Sequence, residues 1–137
     1  MNHFLEWLDD WYVGIHEIDR QHLELAALFN QLADSLHSAS VNGCVTASSL
    51  PLVVQLLDET RKHFKDEERI MQKYNYPDLL EHHREHVMLL AELQDFIREI
   101  EAERRSFDLH SLTALKHWLI NHVIDVDLAF ARFLERS

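Results

Sequence analysis

The stretch PLVVQLLDETRKHFKDEERIMQKY, residues 51–74, decides the fold. Within it Val53, Leu56, Thr60, His63, Glu67, Ile70 and Tyr74 step by 3, 4, 3, 4, 3 and 4 residues, which is the buried stripe of an α-helix packed against other helices. Pro51 follows the candidate caps Ser48 and Ser49 and sits where the first helical turn tolerates a residue without an N–H. Asn75-Tyr76-Pro77-Asp78 then reads as a turn, because the residue before a proline is pushed out of the helical region. Two members of the stripe, His63 and Glu67, ionise at or below neutral pH. His63 and Glu67 are four residues apart and so share one helix face about one turn apart.

Three other segments repeat the rhythm. The stripes are Ile18, His22, Leu25, Phe29, Leu32 and Leu36; Leu79, His82, His86, Leu89, Leu93, Phe96 and Ile100; and Leu112, Leu115, Leu119, His122, Val126, Ala129 and Phe133. They predict helices over about 18–37, 51–74, 78–104 and 108–134, with Asp19 or a neighbour capping the first and Asp108 the last. A loop with Asn42-Gly43 breaks the chain after the first helix. The arm, residues 1–17, carries Phe4, Leu5, Trp7, Leu8, Trp11, Tyr12, Val13 and Ile15 and is expected to pack on the helices, Trp7 and Trp11 as its anchors. Short connections favour antiparallel neighbours, so the expected fold is all-α: an up-down-up-down antiparallel four-helix bundle, one domain over residues 1–137.

Composition agrees and narrows the function. The 137 residues include two glycines and two prolines, too few for the turns of a many-stranded β fold. The formal charge is −11, which argues against a grip on nucleic acid or an anionic membrane surface, since both need a basic patch. No run of 18 apolar residues spans a membrane. Cys44 has no partner for an intramolecular disulfide, and the start lacks the pattern of a secretory signal, so a reducing, cytoplasmic setting is expected. The eleven histidines remain unexplained.

A single histidine in a helix stripe is ordinarily a core residue with a hydrogen-bond partner. Here every stripe is interrupted, and a rise of about 1.5 Å per residue places the interruptions at one height. Measured from the common end, His22 lies at roughly 6 Å, His63 and Glu67 at roughly 16 and 10 Å, His82 and His86 at roughly 6 and 12 Å, and His122 and Asp127 at roughly 18 and 10 Å. Five imidazoles and two carboxylates in an apolar core need a partner for their lone pairs, and a metal centre is the natural one. His82 and His86 form a second i, i+4 pair. His122 and Asp127 are five apart, which calls for a π-type widening of the fourth helix or a sideways reach by Asp127. Imidazole with carboxylate suits iron, zinc or copper, and the lack of clustered cysteine argues against an iron–sulfur or thiolate site. Seven ligands exceed one tetrahedral zinc. If Glu67 and Asp127 each bridge two octahedral ions, they, the five imidazoles and one bridging solvent oxygen fill about eleven of roughly twelve positions. One position stays open for a small exogenous ligand.

These residues carry a resemblance. Val13-Gly14-Ile15, Ile18-Asp19-x-Gln21-His22, His63-Phe64-x-x-Glu67-Glu68-x-x-Met71, Tyr76-Pro77, His82-x-x-x-His86 and Trp118-Leu119-x-x-His122-x-x-x-x-Asp127 together resemble the hemerythrins, in particular their single-domain bacterial form, over nearly the whole chain. The resemblance implies two irons. One would be held by His82, His86 and His122, the other by His22 and His63, with Glu67, Asp127 and an oxo or hydroxo group as bridges. It implies reversible O2 binding at the ion with two histidines, for storage or for delivery to an oxygen-consuming enzyme, and no enzymatic activity. Leu25, Phe64, Trp118 and Leu119 would wall the O2 pocket and keep it dry. Phe130 stands where many relatives carry a tyrosine, so that hydroxyl is absent here.

His3, His16, His37, His83, His110 and His117 read as surface groups, with His16 the one that the arm can bring near the site. The acidic runs around Asp66-Glu67-Glu68 and Glu99–Glu103 read as solvated helix face apart from Glu67. A di-iron oxidase or peroxidase is the enzymatic alternative, but the Glu-x-x-His motif of ferritin-like sites is missing. His-Glu-x-x-His is missing as well, which disfavours a zinc hydrolase. A sensor of O2, nitric oxide or redox state is the third reading and would act through a separate partner.

Overall fold

The computed structural model describes residues 4–39, 50–102 and 108–136. Its helices are α1 (His16–Ala39), α2 (Leu50–Lys73), α3 (Leu79–Glu101) and α4 (Leu109–His122), the last continuing through a π-helical turn (Val123–Asp127) into α5 (Leu128–Arg136). Four helical rods result, and among the described residues none is long and apolar enough to cross a membrane. The rods alternate in direction. His22 near the start of α1 faces Asp127 near the end of the fourth rod, and Glu67 near the end of α2 faces His82 near the start of α3. The expected loop around Cys44, the caps Ser48 and Ser49, and His3 lie outside the described residues.

Local chemistry explains the boundaries. The turn after α2 ends in a Schellman motif: the Tyr76 amide donates to the Met71 carbonyl and the Asn75 amide to that of Gln72, with Asn75 left-handed at φ 54°, a conformation asparagine tolerates. Asp108 caps α4 by accepting the Ser111 amide at 2.9 Å. Replacing it, Asp108→Ala, should cost about 1 kcal/mol, read as a lower urea midpoint at unchanged slope. Asp19 does something other than cap α1. The helix begins at His16, and the Asp19 carboxylate reaches back to accept the Val13 and Gly14 amides at 2.7 and 3.1 Å. It thereby pins the arm to the helix.

The arm is fastened at its other end as well. Leu5 donates its amide to Asn30 Oδ1 and accepts from Asn30 Nδ2, at 2.7 and 3.0 Å, while Lys116 donates to the Phe4 carbonyl. A 3-10 turn (Asp9–Trp11) lies between the two anchors.

Two apolar blocks hold the rods together. The larger gathers Leu25, Phe29, Leu32 and Leu36 with Val53, Leu56, Phe96, Leu112 and Leu119; the smaller gathers Val13, Ile18, Ile70, Met71, Tyr76 and Phe130. Each buried Leu, Ile or Phe contributes roughly 1.5–3 kcal/mol. Phe130 is fully buried and packs on Tyr76 at 4.9 Å between ring centres. Along α1, α2 and the fourth rod the polar positions fall between the two blocks, so the site is a polar layer enclosed by apolar packing.

Candidate metal centre

All seven residues singled out in the sequence meet in that layer. His22, His63, Glu67, His82, His86, His122 and Asp127 are each buried. Their donor atoms fall into two groups, each within 4.8 Å: Glu67, His82, His86, His122 and Asp127 in one, and His22, His63, Glu67 and Asp127 in the other. The two carboxylates belong to both. Glu67 Oε1 lies 2.7 Å from His82 Nε2 and 3.1 Å from His86 Nε2, whereas its Oε2 lies 3.3 Å from His63 Nε2. Asp127 repeats the division, with Oδ1 at 3.1 and 3.2 Å from His82 and His122 and Oδ2 at 3.0 Å from His22. The π turn makes this possible. Leu128 donates its amide to the carbonyl of Val123, five residues back, so the wider turn brings Asp127 onto the face that His122 occupies. Thr60, the other polar member of the α2 stripe, bonds back to the Leu56 carbonyl and takes no part.

The outer nitrogens fix which tautomer faces inward. His86 Nδ1–H donates to Glu68 at 2.8 Å and His122 Nδ1–H to Glu85 at 3.0 Å; a carboxylate can only accept. His63 Nδ1–H donates to Gln21 Oε1 at 2.7 Å, and the amide's orientation is set by its own donation to Asp66 at 2.8 Å. Each of these rings therefore presents a bare Nε2 lone pair to the interior unless it takes up a second proton. His86 Nε2 and His122 Nε2 then stand 3.2 Å apart, a separation that needs a proton or a cation beside them. Asp127 Oδ1 and Oδ2, Glu67 Oε2, His63 Nε2 and both His22 nitrogens are buried without a hydrogen-bond partner. Such unpaired buried polar atoms, most of them acceptors, are costly unless something positive is held among them.

Electrostatics point the same way. Burial pulls His122 down, but Asp127 and then Glu67 outweigh it and hold its pKa at about 10. His82 is likewise lowered by burial and raised more strongly by the Asp127 and Glu67 carboxylates beside it, to about 9. Burial raises the Asp127 carboxyl, yet the attraction of His122 holds it well below the ordinary range. Burial and the Asp127 charge push Glu67 up, and His63 with the His82 hydrogen bond more than reverse this. The cavity thus stabilises positive charge at its centre and negative charge on both carboxylates.

Several contributors were not legible as such. Asp66 and Glu68 read as solvated face, but they orient Gln21 and His86, and Glu68 also accepts from the exposed His83. Gln21 stands in the motif that carries the resemblance, with no role assigned to it there; Glu85 adjoins His86 in sequence, and that adjacency is its only signal. Trp7, read as an arm anchor, also packs its indole against the His22 ring at 5.3 Å. Phe64 stacks on His86 at 3.8 Å and borders His63 and His122. Leu25 and Leu119 are fully buried in the larger block, and Trp118 packs against that block from the groove between α3 and α4. His16, His110 and His117 are exposed.

Fold and donor set define the class: a four-helix bundle whose core is a histidine- and carboxylate-lined cation site. The profile of the hemerythrin HHE cation binding domain matches residues 13–133, and the chain belongs to this family. It is 30% identical over 131 residues to a bacteriohemerythrin of Stenotrophomonas maltophilia, covering 93% of this chain and 79% of that one. It is 26% identical to a myohemerythrin of Riftia pachyptila, covering 90% and 88%. A crystal structure of wild-type hemerythrin superposes with a TM-score of 0.83 at 24% identity, over 94% of this chain and 96% of that one.

Proposed function

We propose that this chain binds O2 reversibly at a non-haem di-iron centre and serves in oxygen storage or delivery to oxygen-requiring enzymes, without being an enzyme itself. The observation that carries the reading is the division of each carboxylate's two oxygens between a group with three imidazoles and a group with two. Glu67 and Asp127 would bridge, His82, His86 and His122 would hold one ion, and His22 and His63 the other. Ferrous ions there would supply the electrons on which reversible O2 binding draws. The rest falls to the chain. The smaller imidazole set leaves room among octahedral ligands for one small guest. Leu25, Phe64, Trp118 and Leu119 would wall its pocket, excluding the water and protons that promote oxidative loss. Names of relatives such as bacteriohemerythrin and myohemerythrin support the reading.

Metal analysis with optical spectra of the reduced protein before and after air tests it. Two irons per chain and a charge-transfer band that appears under O2 and disappears under vacuum are expected. Zinc alone, or immediate irreversible oxidation with turnover of a reductant, would overturn the carrier role.

A further inference from the structure

The two halves of the cluster have different outer partners. On the side with three imidazoles, His86 and His122 donate their Nδ1–H to carboxylates, those of Glu68 and Glu85. On the side with two, His63 donates to the neutral amide of Gln21. The remaining ring of each side, His82 and His22, has its Nδ1 buried without a hydrogen-bond partner, and the His22 ring lies against Trp7. Gln21 has to be an amide, because it accepts from His63 and donates to Asp66. The charge of Asp66 is therefore one residue further from the ring than those of Glu68 and Glu85 are from theirs.

A carboxylate that accepts the distal N–H of a ligating imidazole makes the ring a stronger donor and favours the more highly charged ion. We propose that Glu68 and Glu85 are positioning residues that make the ion held by His82, His86 and His122 the more easily oxidised of the two, while Gln21 leaves its neighbour the more readily reduced. The inference rests on the di-iron reading above. It gives the centre a built-in order: the two-imidazole ion takes the first electron on reduction, and the three-imidazole ion takes the second. Glu68 should carry most of the effect. Its side chain is 23% exposed against 40% for Glu85, and solvent screens the more exposed charge more strongly. His83, which also donates to Glu68, steadies that carboxylate from outside.

Spectroelectrochemistry of the iron-loaded protein resolves the two one-electron steps. Glu68→Gln keeps the shape and removes the charge. It should shift the second reduction equilibrium about tenfold toward the ferrous form, about 59 mV for one electron, and leave the first nearly in place. Glu85→Gln should do the same to a smaller degree. Equal movement of both steps, or of neither, would overturn the proposal. Should Glu68→Gln fail to retain two irons, the double variant Gln21→Glu/Asp66→Asn gives the converse: the first step moves toward the ferric form and the gap between the steps narrows, while an unchanged gap counts against the proposal. Wild-type protein that holds two irons without reversible O2 binding defeats the carrier reading, and the potentials still decide this one. Zinc-loaded protein gives a readout free of iron. The Nδ1–H proton resonances of His86 and His122 should lie downfield of that of His63, and Glu68→Gln should move only that of His86; equal shifts in the wild type would refute the carboxylate assignment.

Discussion

Glu67→Ala is expected to empty the centre. Glu67 lies within 4.0 Å of all five imidazoles, at 2.7 Å from His82, 3.1 Å from His86, 3.3 Å from His63, 3.9 Å from His22 and 4.0 Å from His122. Among the described residues no other side chain except Asp127 serves both donor groups. Loss of an outer-layer partner typically costs about 10–100-fold in metal affinity. Loss of a carboxylate shared by two ions removes a direct contact and half the anionic compensation from both, so the drop should exceed the top of that range. After anaerobic loading and desalting, Glu67→Ala should hold fewer than one iron per chain and Glu67→Gln an intermediate amount. Circular dichroism should show the helices intact, because the two apolar blocks on either side of the site are untouched. Two irons per chain in Glu67→Ala would refute the bridging assignment.

The second large effect is the response of stability to metal removal, and its pH dependence has a definite sign. Without metal, His82 and His122 have pKa values of about 9 and 10, above the ordinary 6.5. The stability they contribute is complete below about pH 6.5 and is lost as pH rises through 9 and 10. Glu67 and Asp127 lie below their ordinary 4.5 and 3.8. Their contribution is complete above those values and fades as pH falls beneath them. The metal-free chain should therefore be most stable between about pH 4.5 and 6.5 and soften steadily above that. In the loaded protein cations replace those protons, since ligating imidazole must be neutral. At pH 7 loading should release about two protons, those of His82 and His122, measurable in weakly buffered solution. A cation held at 1,000 times its dissociation constant adds about 4 kcal/mol. The gap in melting temperature between loaded and metal-free protein should accordingly widen from pH 6.5 to 9. A gap that narrows over that interval would mean that protons do not compete with metal at these rings.

Much of this was legible because helical periodicity is a one-dimensional signal. Steps of three and four residues place His22, His63, Glu67, His82, His86 and His122 on inward stripes, and the rise per residue puts them at one height. Asp127 broke the rhythm; its five-residue offset from His122 left a π-type widening or a sideways reach open, and the structure has the π turn. Asp19 was misread because an acidic residue near a helix start looks the same in sequence whether it caps its own helix or reaches back to the arm. Asp66 and Glu68 looked like solvated face, and Glu85 drew no reading at all, for a related reason. A half-exposed carboxylate has no periodic signature, and its role depends on which ring nitrogen lies within 3 Å.

The sequence by itself determined the bundle, the polar layer and the kinds of donor group in it, since apolar spacing and side-chain chemistry are properties of each helix alone. Only the tertiary structure decided how the layer divides. The splitting of Glu67 and Asp127 between two donor groups, the carboxylate partners on one side and the amide on the other, and the packing of Trp7 against His22 all depend on contacts between different rods or between a rod and the arm. Hydrogen bonds act over about 3 Å, far below the roughly 8–10 Å that separates helix axes. Which oxygen meets which nitrogen is therefore set by how the rods are rotated against one another.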